Sequence, residues 1–181
     1  MLKKSIIGIM FISMSVITGH TYALSAKEYE IKAAFLYNLG SFISWPTKAF
    51  KDVASFGICI LGEDPFNQQL QSLTQDQQVS GRAISVRQIT AIQEAEECQI
   101  LFISASEQSE FVSVFDWLHD KPILTVSDVD DFIVQGGMLQ FFKRDNKIRL
   151  ALDPEAISEV GLKPSAHLMK IAELVRSSAK Q

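Results

Sequence analysis

The sequence predicts an α/β fold: one sheet covered on both faces by helices, in a single domain. Two observations carry this. From residue 56 onward short apolar runs, "FGICIL", "AISVRQI", "QILFIS" and "ILTV", alternate with stretches of helical spacing. Strands that are apolar on both faces, each followed by a helix, belong in a parallel sheet, and right-handed crossovers put helices on both of its sides. The second observation sits near the end of the chain. "MLQFFKR" and "KIRLAL" flank "DN", which reads as an antiparallel hairpin added at one edge. The expected architecture is therefore three-layered and Rossmann-like, with a mostly parallel sheet of about six strands and a C-terminal hairpin edge.

The elements follow in order. "MLKK", an apolar run from Ile6 to Ile17 and "GHTYALSA" have the layout of a secretory leader, residues 1–23, with cleavage expected after Ala23 and after Ala26 as second choice. The apolar run is shorter than the ~20 residues of a membrane span. Residues 24–181 are expected to form the single domain. Ser25 and Glu28 have capping-box spacing and predict a helix start. That helix ends near Trp45–Pro46, because the residue before a proline leaves helical geometry. Its apolar positions, Phe35, Leu36, Leu39 and Phe42 among them, exceed one surface face. It is either wrapped on two sides or meets another subunit. After "FGICIL", "NQQLQSL" predicts a short helix. "EQSEFVSVFDWLHD" predicts another, with Ser104 and Glu107 in capping-box spacing. "VDDFIV" is read as a short helix closed by Gly136–Gly137. "PEAISEV" starts on a proline and ends at Gly161, as short helices do. "SAHLMKIAELVR" is the last helix.

Charge narrows the partners. The chain carries 17 basic and 21 acidic residues, and loss of Lys3 and Lys4 with the leader leaves it at about −6. A nucleic-acid surface usually needs the opposite sign. "LGEDPF" ends a strand where ligands bind in open α/β sheets. It lacks the glycine pattern and the lysine of phosphate-binding loops, and its two acids repel an anion. Ser104, Ser106 and Glu107 have no histidine–acid partner pattern, and capping explains them more simply. Ser127, Asp128 and Asp130 read as an acidic helix start. Trp45 and Trp117 are expected in the core or at an interface.

Cys59 and Cys98 are the two cysteines. They form no redox C-x-x-C, and histidines at standard metal spacing are absent. A disulfide and a pair of buried thiols remain. An exported compartment favours the disulfide. If the first and third parallel strands align at their carboxyl ends, the two cysteines are about three positions apart, roughly 10 Å at strand rise. The bridge then needs a shifted register or a bent approach at Cys98.

"KAAFLYNLGSFISWP", "ICILGEDPF", "GRAISVRQI", "CQILFIS", "VSD" before "GGM", and "GLKPSAHLMKIA" stand in an order that resembles the YfiR family of periplasmic proteins. The resemblance implies a periplasmic homodimer without catalytic activity, cofactor or metal. It implies a repressor that binds the periplasmic sensor region of an inner-membrane diguanylate cyclase and limits cyclic di-GMP, favouring motility over biofilm. It also implies an antagonist, an outer-membrane lipoprotein of the OmpA/Pal type. Cys59 and Cys98 match a cysteine pair of such proteins. A second disulfide around the double glycine, carried by some members, has no cysteines here. The resemblance places partner contact in the C-terminal part, around Leu139 and from Ala151 to Ile157. Phe35, Leu36, Leu39 and Phe42 are the expected dimer anchors. The competing expectation is a small-ligand binding module at the carboxyl edge of the sheet, near Gly62–Phe66, Ser104–Glu107 and Ser127–Asp128.

Overall fold

The computed structural model describes residues 19–177. Residues 1–18 of the expected leader and the last four residues of the chain lie outside them. The first element, α1 (Gly19–Phe42), is one continuous helix. Ser25 lies inside it, so the expected start at Ser25 is corrected. The helix stops where the proline rule places the stop, and β1 (Ile43–Ser44) and a 3₁₀ turn (Thr47–Phe50) follow at once. Next come β2 (Phe56–Leu61), α2 (Gln69–Thr74), β3 (Gln78–Val79) and β4 (Arg82–Ile89). A 3₁₀ stretch (Ile92–Glu97) leads to β5 (Ile100–Ile103), and another (Ala105–Glu110) leads to α3 (Phe111–Leu118). The chain continues through β6 (Leu124–Ser127), β7 (Leu139–Arg144), β8 (Lys147–Leu152), α4 (Pro154–Glu159), β9 (Lys163–Pro164), α5 (Ala166–Ile171) and β10 (Glu173–Leu174).

The main sheet has the order β10-β8-β7-β6-β5-β2-β4-β3, and β1 pairs with β9 separately. The strands β4, β2, β5, β6 and β7 are parallel to one another. β3 runs antiparallel to β4, β8 runs antiparallel to β7, and β10 is parallel to β8. The sheet is mixed and has eight strands, where about six were expected. The hairpin does not form the edge, because β10 lies outside it. Its turn is the one "DN" dictates: Asp145 and Asn146 both have left-handed backbone, φ 50° and 59°, as a two-residue hairpin turn requires.

Three helix predictions need correction. The segment 129–134 forms consecutive turns, because Asp131 has φ 59° and a left-handed residue cannot continue an α-helix. Ser104 makes no side-chain cap, and a 3₁₀ stretch rather than an α-helix follows it. The last helix ends at Ile171, and "EL" becomes β10. There the exposed edge of β8 offers a ladder, and Val175 N–H continues it to Leu152 O at 2.9 Å.

Alternating residues of the central strands feed two cores. Ile58, Ile60, Ile100, Phe102, Leu124 and Val126 pack with Leu36 and Leu39 of α1 and Leu70 of α2. Cys59, Leu61, Leu101 and Ile103 pack on the other side with Phe111, Val114 and Leu118 of α3. Each face is thus covered, as the continuous apolar runs require. Among the described residues no helix is long and apolar enough to cross a membrane.

Candidate functional site

Taken in chain order, the five parallel strands occur in space as second, first, third, fourth, fifth. The winding reverses between β2 and β5, and the carboxyl ends of those strands are where such sheets commonly bind ligands. Here the chain fills that position itself. Gly62 has φ 89°, and a Cβ there would lie 2.3 Å from Ser106 Oγ and 2.7 Å from Glu107 Cγ. Ser106 Oγ accepts from Glu63 N–H at 3.0 Å. Ser104 N–H bonds Leu61 O at 3.0 Å, which closes the turn beneath. Asp64 Oδ1 accepts from Phe66 N–H at 2.8 Å and makes the Asx turn that the Asp–Pro pair predicts. Burial pushes the Asp64 carboxyl up, against the hydrogen bonds from the Phe66 and Asn67 backbone.

Beside this edge lies an ion cluster that sequence reasoning missed. Lys32 of α1 is 4% exposed. Its Nζ is 2.6 Å from Glu28 Oε1 and 2.7 Å from Asp128 Oδ2. The same Asp128 oxygen accepts from Tyr29 Oη at 2.8 Å, and the ammonium stands 4.3 Å from the Tyr29 ring centroid. Lys143 of β7 reaches Glu28 at 3.5 Å. Burial, then the charge of Asp128, pushes the Tyr29 phenol well above its ordinary value. Burial pushes the Glu28 carboxyl up, but the Lys32 bond and charge, with Lys143, outweigh it and hold it below its usual value. The charges of the cluster are paired with one another, which ties α1 to β7 and to the residue that follows β6. Ser127 and Asp128 do not begin a helix. Ser127 Oγ donates to Ile103 O and accepts from Val129 N–H, and Asp128 serves the cluster. Helical spacing of Glu28 and Lys32 was the available signal, but its third member, Asp128, is 96 positions away.

Cys59 and Cys98 are bonded, with Cα atoms 5.9 Å apart, and both are buried. The bent approach is visible. Ile58 pairs with Ile100, so Cys98 precedes the strand and lies at the end of the 3₁₀ stretch. Glu97 and Cys98 cross directly over Gly57, where a Cβ would lie 2.5 Å from Glu97 O and 3.0 Å from Cys98 Cα. Gly57 and Cys59 share one face of β2, two residues apart. The crossing therefore sets Cys98 above Cys59. The buried Gln99 amide fixes it: Gly57 N–H donates to Oε1 at 2.6 Å, and Nε2 donates to Ala49 O at 2.6 Å.

The surface residues expected from the sequence fall into two groups. Leu139 and Ile157 are 0% exposed and Ala151 is 7%. Leu139 and Ile157 belong to the core around α1, because inward positions of β7 alternate from Leu139 and α4 turns Ile157 onto the sheet; Ala151 is buried in β8. As partner contacts they are corrected: a buried side chain has no surface to give. Leu36 and Leu39 of α1 are also fully buried. Phe35 and Phe42 are half-buried; Phe35 meets the Phe141 ring at 6.0 Å and Phe42 the His167 ring at 5.4 Å. The apolar excess of α1 is thus largely met by wrapping, with α2 on one side and β7 and α5 on the other. Ile31, 41% exposed, continues the Phe35–Phe42 stripe. Toward the C-terminus Ile171 and Leu174 are 44% and 55% exposed. Trp45 stacks edge-on to Phe56 at 5.3 Å, and Lys121 covers the Trp117 ring at 4.1 Å.

A family model described as DUF4154, YfiR/HmsC-like, matches residues 29–173, from the ion cluster on α1 to the first residue of β10. No curated protein matches the chain.

Proposed function

The chain belongs to the YfiR/HmsC-like family, a family of periplasmic regulators in cyclic di-GMP signalling, and on that premise we propose that it is a non-enzymatic repressor. It is exported, binds the periplasmic sensor region of an inner-membrane diguanylate cyclase, and limits cyclic di-GMP synthesis. An outer-membrane lipoprotein of the OmpA/Pal type is its antagonist. The observation that carries this reading is the extent of the family match, which spans nearly the whole described domain. The filled carboxyl edge supports it, since Ser106 and Glu107 sit where a small ligand would otherwise bind. A buried disulfide also suits an oxidising compartment.

With Leu139 and Ile157 in the core, the partner surface at this end is assigned to the exposed apolar groups beside them, Ile171 and Leu174. The homodimer contact is assigned to the stripe Ile31, Phe35 and Phe42 on α1. A tagged chain expressed from its own gene, cross-linked in the periplasm and purified, should bring down a membrane protein carrying a diguanylate cyclase domain. Ile171→Glu with Leu174→Glu should abolish that recovery while circular dichroism stays native. Recovery of no cyclase by the wild-type chain contradicts the reading.

A further inference from the structure

We propose that the segment 173–177 is a flap on the edge of β8, and that Asp153 is the positioning residue that latches it and so keeps Leu174 beside Ile171. The proposal deepens the partner surface assigned above and rests on that assignment. Ile171 is held by its helix: α5 buries Leu168, and Ser165 Oγ caps it by accepting from Leu168 N–H at 3.2 Å. Leu174 lies beyond that helix, so its place depends on how β10 is fastened to β8. The fastening is polar. β10 pairs with β8 at Glu173–Ala151 and Leu174–Leu152. Both of its residues are exposed, so burial of their side chains holds them weakly. Val175 N–H donates to Leu152 O at 2.9 Å, and Ser177 N–H donates to Asp153 Oδ2 at 2.8 Å. Arg144 forks onto the Glu173 carboxylate, but both partners are exposed and such a pair holds little in water. A segment tied by backbone bonds with few buried apolar contacts opens locally, ahead of its domain.

Asp153 is the buried fastening, 3% exposed, and its carboxylate serves two segments at once. Oδ1 accepts from Glu155 N–H at 2.9 Å and from Ala156 N–H at 3.1 Å, which caps α4. Oδ2 takes the flap. A buried acceptor deprived of its donor is costly, so the flap is favoured closed while the carboxylate is in place. Asparagine caps a helix about as well as aspartate. It carries one oxygen, however, and an amide nitrogen that only donates. With that oxygen on the two α4 donors, the nitrogen faces Ser177 N–H, donor against donor. The flap, and not the cap, is what requires an aspartate here.

The test follows backbone amide exchange by NMR in the exported chain and its variants, and cyclic di-GMP in cells that carry them. In Asp153→Asn the Val175 and Ser177 amides should exchange at least tenfold faster. Ile157 N–H, which donates to Asp153 O inside α4, should keep its rate. Cyclic di-GMP should rise as far as it does with Ile171→Glu plus Leu174→Glu. Val175→Pro removes the bond to Leu152 and leaves Asp153 intact. It serves as a second variant if Asp153→Asn lowers native circular dichroism, and in it the Ser177 amide should exchange faster. Unchanged exchange at Val175 and Ser177, or an equal acceleration at Ile157, overturns the latch. A freed flap that still represses, where the glutamate pair does not, overturns the part of the flap in repression. If the glutamate pair also represses normally, the partner surface itself is misassigned and the proposal falls with it.

Discussion

Gly57 shows how one residue sets the disulfide. A Cβ at this position would overlap Glu97 O at 2.5 Å, so the crossing chain must lift. Gly57→Ala should cost about 1–3 kcal/mol, the usual price of overpacking, read as a lower urea midpoint. An unchanged midpoint would mean that the crossing yields freely. Lys32 sets a second test. Replacing it by Met strands Asp128 and Glu28 without their buried cation, and removing one member of such a pair costs about 3–5 kcal/mol. Asp128→Leu added to Lys32→Met should recover part of that loss. A second substitution that simply adds to the damage would show that the two are not coupled. The pH dependence has two signs. Glu28, held low in the fold, contributes stability that is complete above its unfolded value of about 4.3 and is lost as pH falls through the folded value. Tyr29, held high, favours the neutral phenol, so its contribution is complete below about pH 10 and is lost on the alkaline side. Glu28→Gln should flatten the acid limb of the stability profile and Tyr29→Phe the alkaline limb. Thermal unfolding across pH separates the two.

At the scale of elements, the disulfide joins the end of a 3₁₀ stretch to the central strand β2 across a separation of 39 residues. Replacing both cysteines with alanine should lower stability by about 2–5 kcal/mol, measured by urea unfolding, with native circular dichroism retained at low temperature. Free thiols that label readily in the folded, exported chain would contradict the bond. The strands β2, β4, β5, β6 and the hairpin were legible because their runs are apolar and bounded by turn residues. The two-residue strands β1, β3, β9 and β10 were not, since they carry no periodicity and are set by whatever edge lies nearby. "AELVR" has helical composition, but the unpaired edge of β8 outweighs it. "VDDFIV" fails as a helix at Asp131, a backbone choice that composition does not announce. For the site, the pairing of Cys59 with Cys98 was legible from compartment, whereas its geometry depends on Gly57, which reads as an ordinary strand residue. The resemblance puts Leu139 and Ile157 at a surface, against the alternation of β7 that turns Leu139 inward. The Lys32 cluster joins α1 to the end of β6 and no local pattern reveals it.

Viewed whole, the molecule offers little at the place where sheets of this winding usually bind small ligands, and more at its outer elements. Ile31, Phe35 and Phe42 on α1, and Ile171 with Leu174 near the C-terminus, are apolar groups with surface to give. Ile31→Glu with Phe42→Glu should shift a dimer to monomer by light scattering; a dimer that persists removes α1 from the contact. The most direct test of the repressor reading is cellular cyclic di-GMP, measured by mass spectrometry in cells lacking the gene. The level should rise on deletion, return on expression of the full chain, and stay high when residues 2–23 are removed so that the protein is retained in the cytoplasm. An unchanged or lower level on deletion would contradict repression.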